Sequence, residues 1–130
     1  MIEIQPLHSL DLADLTRIIS GYTADGRYDV AYAETDDHTL LELQYVPLAE
    51  PYVKHYDPYD EETLQYYINV LNHRFSFGAY DDETLVGLIL AEPYDWNLSL
   101  WVWEFHVAES YRGRGTGRLL MESAAGKARS

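Results

Sequence analysis

Glu104 and His106 lie two residues apart in the apolar run at residues 98–107. Positions two apart on a strand share a face, so an acid and an imidazole would project together where the strand ends. Such a pair can take up or relay a proton. The next segment is Tyr111-Arg112-Gly113-Arg114-Gly115-Thr116-Gly117, followed by Arg118-Leu119-Leu120-Met121. Glycines at every second position clear side chains from the inner wall of a loop. An anion can then approach successive backbone N–H groups at the positive end of the helix that follows. Arg112, Arg114 and Arg118 add positive charge to the same place.

The loop departs from two other phosphate-binding patterns. No Lys-Ser/Thr pair follows the last glycine, as a nucleoside-triphosphate loop requires, and the spacing is not Gly-x-Gly-x-x-Gly. The elements that must position these groups can be read from periodicity. Ile2 and Ile4 alternate before Pro6, predicting a short first strand. Ser9 or Asp11 can cap a helix whose apolar face is Leu12, Leu15, Ile18 and Ile19, ended by Gly21. Residues 22–27 read as a turn around Asp25-Gly26. Strand-like segments at 28–33 and 39–46 flank the Asp36-Asp37 turn, and residues 47–60 read as irregular and aromatic. Asp60 is placed to cap a helix with Glu61 and Glu62 in its first turn and Leu64, Tyr67, Ile68 and Leu71 on its buried stripe.

Strands are expected at 75–80 and 84–91 around the turn Asp81-Asp82-Glu83. The turn at residues 94–97 leads into the strand at 98–107, and the glycine loop leads into a helix from Gly117 towards Arg129. By simple alternation Trp101, Trp103, Phe105 and Val107 share one apolar face of the 98–107 strand, which favours a core role for the two tryptophans over the alternative that they line a substrate pocket. The resulting fold class is α/β (α+β), with a mixed, mostly antiparallel sheet flanked by helices.

Composition narrows the function classes. At 130 residues the chain is one domain by length. It has no cysteine, which excludes a disulfide framework, a thiolate nucleophile and a thiolate zinc site. The N-terminus carries an acid where a signal peptide would carry positive charge, and no stretch approaches the roughly 20 apolar residues of a membrane span. A cytoplasmic protein is expected. The formal net charge is −13, with a balance of −15 in residues 1–100 and +2 in the last thirty. The acidic body would repel nucleic acid and anionic membranes. The basic end suits a small polyanion, or simply the dipole of a final helix.

Arg112-Gly113-Arg114-Gly115-Thr116-Gly117 resembles the Arg/Gln-x-x-Gly-x-Gly/Ala pyrophosphate motif of the GNAT superfamily of acyl-coenzyme A N-acyltransferases. The strand ending Phe105-His106-Val107, the Ala108-Glu109-Ser110-Tyr111 link and the Leu-Leu helix agree with it, as do the preceding helix, the Asp-rich hairpin and Val86-Gly87. The resemblance implies acetyl-coenzyme A as acyl donor, no metal, and direct attack by a primary amine of a small, cationic substrate. The pantetheine arm would run along Glu104, Phe105, His106 and Val107. The N–H near Val107 would polarise the thioester carbonyl, and Arg112, Gly113, Arg114, Gly115, Thr116, Gly117 and Arg118 would hold the pyrophosphate. Glu104 matches a position often acidic in the family and His106 is the competing base; the residues do not choose between them.

The resemblance also implies a strand and a helix after the pyrophosphate helix, carrying a tyrosine that protonates the departing thiolate. The chain ends at Lys127-Ala128-Arg129-Ser130 without them. It is therefore expected to be an N-terminal portion of the domain or a natural truncation of it. The strand at 98–107 would expose an apolar edge and pair with a second copy or exchange elements with it. A catalytically incomplete coenzyme A-binding regulatory or assembly module is the alternative reading. Pro51-Tyr52-Val53-Lys54-His55-Tyr56 and Trp96-Asn97 resemble the streptothricin-acetyltransferase branch. The acids Asp36, Asp37, Asp57, Asp60, Glu61 and Glu62, mixed with Tyr52, Tyr56 and Tyr59, are candidates to receive a cationic amine by charge and cation–π contact.

Overall fold

The computed structural model describes all 130 residues, and the chain divides into two compact units, Met1–Ser20 with Asp57–Ser130, and Gly21–Tyr56. The first is built on a four-stranded antiparallel sheet of β1 (Ile2–Pro6), β4 (Phe77–Asp81), β5 (Thr84–Tyr94) and β6 (Ser99–Val107), in the order β1-β4-β5-β6. Helices α1 (Leu12–Ile18) and α2 (Glu61–Leu71) share one apolar cluster with Leu88 and Leu90 of β5. Helix α3 (Thr116–Arg129) supplies Leu120 and Ala124 to a second cluster with Ala79, Val86 and Ile89. Both faces of β5 are thus covered, which is why residues 85–91 are buried without a break and read in sequence as a nearly continuous apolar run.

The helix starts follow from their caps. Asp11 Oδ1 accepts from the Asp14 N–H at 2.8 Å, and Asp60 Oδ1 accepts from the Thr63 N–H at 2.7 Å. The Thr63 bond holds the Asp60 carboxyl below its ordinary range, because an exposed helix N–H favours the charged acceptor. Arg17 of α1 donates from Nη2 to the Leu85 carbonyl at 2.6 Å, tying that helix to β5. Where β4 and β5 diverge, buried Ser76 Oγ accepts from the Ala91 N–H at 3.1 Å.

The second unit is a two-stranded antiparallel ribbon of β2 (Gly21–Glu34) and β3 (Thr39–His55). It corrects two sequence expectations. Residues 22–27 are strand rather than turn, and Asp25-Gly26 marks a register irregularity between Ala24 and Gly26. Residues 47–55, expected to be irregular, continue β3 despite Pro47 and Pro51. Every strand of a two-stranded ribbon is an edge strand, so a proline without an N–H is tolerated there. The register sets Tyr28 opposite Tyr45, Val30 opposite Leu43 and Tyr32 opposite Leu41, all on one face. Arg27, Asp29, Ala31, Gln44 and Glu42 take the other face.

Alternation also fails once within β6. The pairs Leu90–Glu104 and Ala91–Val102 leave Trp103 as an extra residue, a β-bulge. Trp103 and Glu104 consequently both reach the α2 side: Trp103 packs on the α1/α2 cluster, and Glu104 meets Tyr67 of α2. Phe105 and Val107 lie on the α3 side, where a Cβ at Gly117 would be 3.5 Å from Phe105 Cζ and 3.8 Å from Val107 Cγ2. The tryptophans therefore do not share a face with Phe105 and Val107. Trp101 is 49% exposed rather than core, and Trp103 is only partly buried.

Candidate functional site

Strand β6 carries Glu104 and His106 to the α2 side of the sheet, as their spacing implies. His106 Nε2 lies 2.6 Å from Glu104 Oε2. The other carboxylate oxygen accepts two phenol hydroxyls, from Tyr67 at 2.5 Å and Tyr59 at 2.9 Å. Burial raises the Glu104 pKa, but the hydrogen bonds from His106, Tyr67 and Tyr59 outweigh it and leave the carboxyl below its ordinary value. The same contacts push the Tyr67 hydroxyl well above the normal phenol range, through burial first and then the Glu104 bond and charge. Glu104 is thus a fixed anion, with two phenol donors on one oxygen and the imidazole on the other. Chemically, an acid and an imidazole in this contact can take up or relay a proton.

Tyr59 and Tyr67 were not singled out as partners of Glu104 by sequence reasoning. Tyr67 was placed on the buried stripe of α2, where its ring indeed packs. A buried phenol needs a partner for its hydroxyl, and that requirement was the available signal. A second carboxylate, Glu92 of β5, accepts from Trp103 Nε1 at 2.8 Å and pairs with His73 Nε2 at 3.2 Å. Beside these groups an open cleft of about 640 Å³ is lined by Glu62, Thr63, Gln65, Tyr66, Tyr67, Asn69 and Trp103. Tyr66 meets the Trp103 ring edge-on at 5.2 Å. Tyr67 both lines this cleft and touches Glu104, so cleft and acid–imidazole pair are contiguous.

The glycine loop follows β6 through a single 3-10 turn at Glu109–Tyr111. Tyr111 donates to Asp81 Oδ2 at 2.6 Å, anchoring the turn to the end of β4; this bond and burial together raise the Tyr111 pKa. Gly113 and Gly115 have φ of +76° and +83°, and a Cβ at either would meet no atom within 4 Å. Backbone conformation rather than crowding selects glycine at both. Gly115 is the N-cap of α3, and no side chain caps that end. The first-turn amides of a 14-residue helix therefore open onto the loop.

The arginines sit differently from a simple ring of charge. Arg112 Nε donates to the Val107 carbonyl at 2.8 Å, the Arg114 guanidinium lies 5.5 Å from the Tyr111 ring centroid, and Arg118 pairs with Glu122 at 2.8 Å. At the strand end, Ala108 donates to the Val86 carbonyl at 2.8 Å. Donor directions alternate along an antiparallel strand, so the N–H groups of Phe105 and Val107 face the unpaired edge of β6. The acids and tyrosines proposed to receive an amine are divided between the units. Asp36, Asp37, Tyr52 and Tyr56 belong to the ribbon, whereas Asp57, Tyr59, Asp60, Glu61 and Glu62 belong to the four-stranded unit. Asp60 is committed to capping α2, and Tyr59 to Glu104. No group of three or more His, Asp or Glu side chains is arranged to hold a metal ion, and no helix is long and apolar enough to cross a membrane.

The sequence profile of the acetyltransferase (GNAT) family matches residues 38–130. The chain belongs to that family. Among solved structures, this GNAT chain is similar to nourseothricin acetyltransferase, with 27% identity and a TM-score of 0.71 over 98% of its own length and 66% of the other chain. It therefore spans just under two thirds of that protein. A protein described as a streptothricin acetyltransferase from Bacillus anthracis str. Ames, solved in complex with acetyl coenzyme A, has the same fold, with 20% identity and a TM-score of 0.67 over 99% of this chain and 69% of that one. No curated protein sequence matches the GNAT chain significantly.

Proposed function

We propose that the chain is the coenzyme-binding and proton-accepting part of an N-acetyltransferase that acylates a primary amine of a small, cationic substrate. The observation that carries this reading is the joining of the uncapped α3 N-terminus, with its two positive-φ glycines, to a strand whose open edge presents the Phe105 and Val107 amides. The loop suits a pyrophosphate: its inner wall has room and its amides are unclaimed by a side-chain cap. Acetyl-coenzyme A, when bound, supplies an activated acetyl carbonyl, from which the amine displaces the coenzyme A thiolate.

The chain's own residues then have separate tasks. Amides of Gly113 to Gly117 bind the diphosphate, and Arg112, Arg114 and Arg118 neutralise it after leaving their resting contacts. The Val107 N–H donates to the oxygen on which negative charge develops. His106 accepts the proton of the incoming ammonium. Glu104, held ionised by its hydrogen bonds, orients the imidazole. The cleft beside α2 takes the acceptor, with Glu62 supplying charge and Tyr66 and Trp103 supplying ring faces for a cation.

The domain assignment over residues 1–130 and a cytoplasmic location belong to the same reading. So does a second copy as partner. Pairing along 98–107 is compatible with catalysis only at its first half, since the donor needs the amides at 105 and 107. Thermal shift with acetyl-coenzyme A, desulfo-coenzyme A and ATP, followed by thiol release with a panel of amines, tests the proposal. Stabilisation by both coenzymes, more than by ATP, with thiol release for a cationic amine, is expected. Greater stabilisation by ATP would contradict it, and binding without turnover for any amine would favour the module reading.

A further inference from the structure

The ribbon presents a surface that the acyl-transfer chemistry does not use. Tyr28, Val30 and Tyr32 of β2 and Leu41, Leu43 and Tyr45 of β3 form one face by register, and each is 55–63% exposed. The opposite face carries Arg27, Asp29, Glu42 and Gln44 beside Ala31, Ala33, Leu40 and Val46, with an Arg27–Asp29 ion pair at 2.9 Å, and so holds all the charge of the central ribbon. A half-covered antiparallel sheet shows just this separation of apolar and polar faces. An isolated two-stranded hairpin is marginal in water without a layer on its apolar side.

We infer that this apolar face is where two copies of the chain meet, ribbon on ribbon. Two observations select a second copy. The first is charge: the chain carries −13 overall, so most of its surface repels a copy of itself. The six-residue face bears no charge and can be self-complementary, as a twofold interface requires. The second is area. The three tyrosines, each more than half exposed, offer on the order of 300 Å². With the three aliphatic residues the face reaches about 600 Å², near the roughly 800 Å² that each partner contributes to a standard interface and at the top of what monomers leave exposed. Rim residues Glu34 and Thr39 supply part of the remainder; Glu34 there accepts from the Tyr32 hydroxyl at 2.7 Å.

The unpaired edge of β6 is the competing surface, with Trp101, Val102 and Phe105 partly exposed. A copy paired along that whole edge would cover the Phe105 and Val107 amides that the acyl-transfer reading needs. Sheets stacked face to face lie about 10 Å apart, so a twofold through the Val30–Leu43 pair sets Leu43 against its own copy.

Sedimentation equilibrium of the full chain at high micromolar concentration tests this. The wild type should have twice the 15.0 kDa chain mass. Val30→Lys combined with Leu43→Lys should halve the mass while leaving circular dichroism and the acetyl-coenzyme A thermal shift unchanged. Val102→Lys, on β6, should leave the dimer intact. Because the chain has no cysteine, Leu43→Cys with a short bismaleimide should give a covalent dimer as an independent readout. A monomeric wild type overturns the inference. So does a dimer that survives the double substitution, or one lost with Val102→Lys. Failure of coenzyme binding in all variants alike would strike the acyl-transfer reading and leave this one standing.

Discussion

The four-stranded unit and the ribbon are both built from strands rich in large apolar and aromatic residues, with opposite results. In β5 the apolar residues are covered from both sides and reach zero exposure, as at Leu88, Ile89 and Leu90. In β2 and β3 residues of similar hydrophobicity remain more than half exposed. Pattern decides which face a residue occupies, and helices supplied from elsewhere in the chain decide whether that face is buried. The assigned chemistry collects in the covered unit, where rigid strands aim Glu104, His106 and the loop. The uncovered unit is left for contact.

The largest difference should appear in amide hydrogen exchange. Amides of β5 should exchange only on global unfolding, and those of the monomeric ribbon at far lower free energy. Equal protection in the two units would break the comparison. Truncation sharpens it: Leu88→Ala should cost about 2–5 kcal/mol, whereas Leu41→Ala in the monomeric double-substituted background should fall within about 0.5 kcal/mol. Denaturant unfolding followed by tryptophan fluorescence reads the first directly, because Trp96, Trp101 and Trp103 all lie in the four-stranded unit.

Ser76→Ala should be next, at about 1–3 kcal/mol, because it orphans the buried Ala91 N–H. Smaller still is the acid response. Glu104 has a folded-state pKa below its ordinary 4.5, so its contribution is fully present above that value and lost as the pH falls through the folded-state value. Glu104→Gln should therefore flatten the acid side of the stability profile below about pH 4.5 and leave the slope at neutral pH unaltered. Tyr67→Phe should move that acid transition upward, since Oε1 keeps only Tyr59, and should lower turnover without changing coenzyme affinity. The pH dependence of stability and the separate measurement of turnover and affinity check these points.

Much of this arrangement was legible in the residues. The caps at Asp11 and Asp60, the apolar β5 run and the loop from Tyr111 to Gly117 each carry a local signal, and each element formed within a few residues of its expected bounds. What could not be read depends on partners distant in sequence. An extra residue at Trp103 is invisible to an alternation rule, because only pairing with β5 reveals it; the rule therefore put both tryptophans with Phe105. The convergence of Tyr59, Tyr67 and His106 on Glu104 needs α2 packed against β6. Pro47, Pro51 and Asp25-Gly26 look like breaks until both strands are known to be edges.

The most direct test is calorimetric titration of acetyl-coenzyme A into the wild type and Gly115→Asp. At φ +83°, where a Cβ would meet no atom within 4 Å, aspartate is among the non-glycine residues that adopt this conformation most readily, and its carboxylate would face the diphosphate. Affinity should fall by about tenfold or more, corresponding to at least 1.4 kcal/mol, with the fold intact by circular dichroism. Equal affinities for the two proteins would contradict the placement of the diphosphate on this loop.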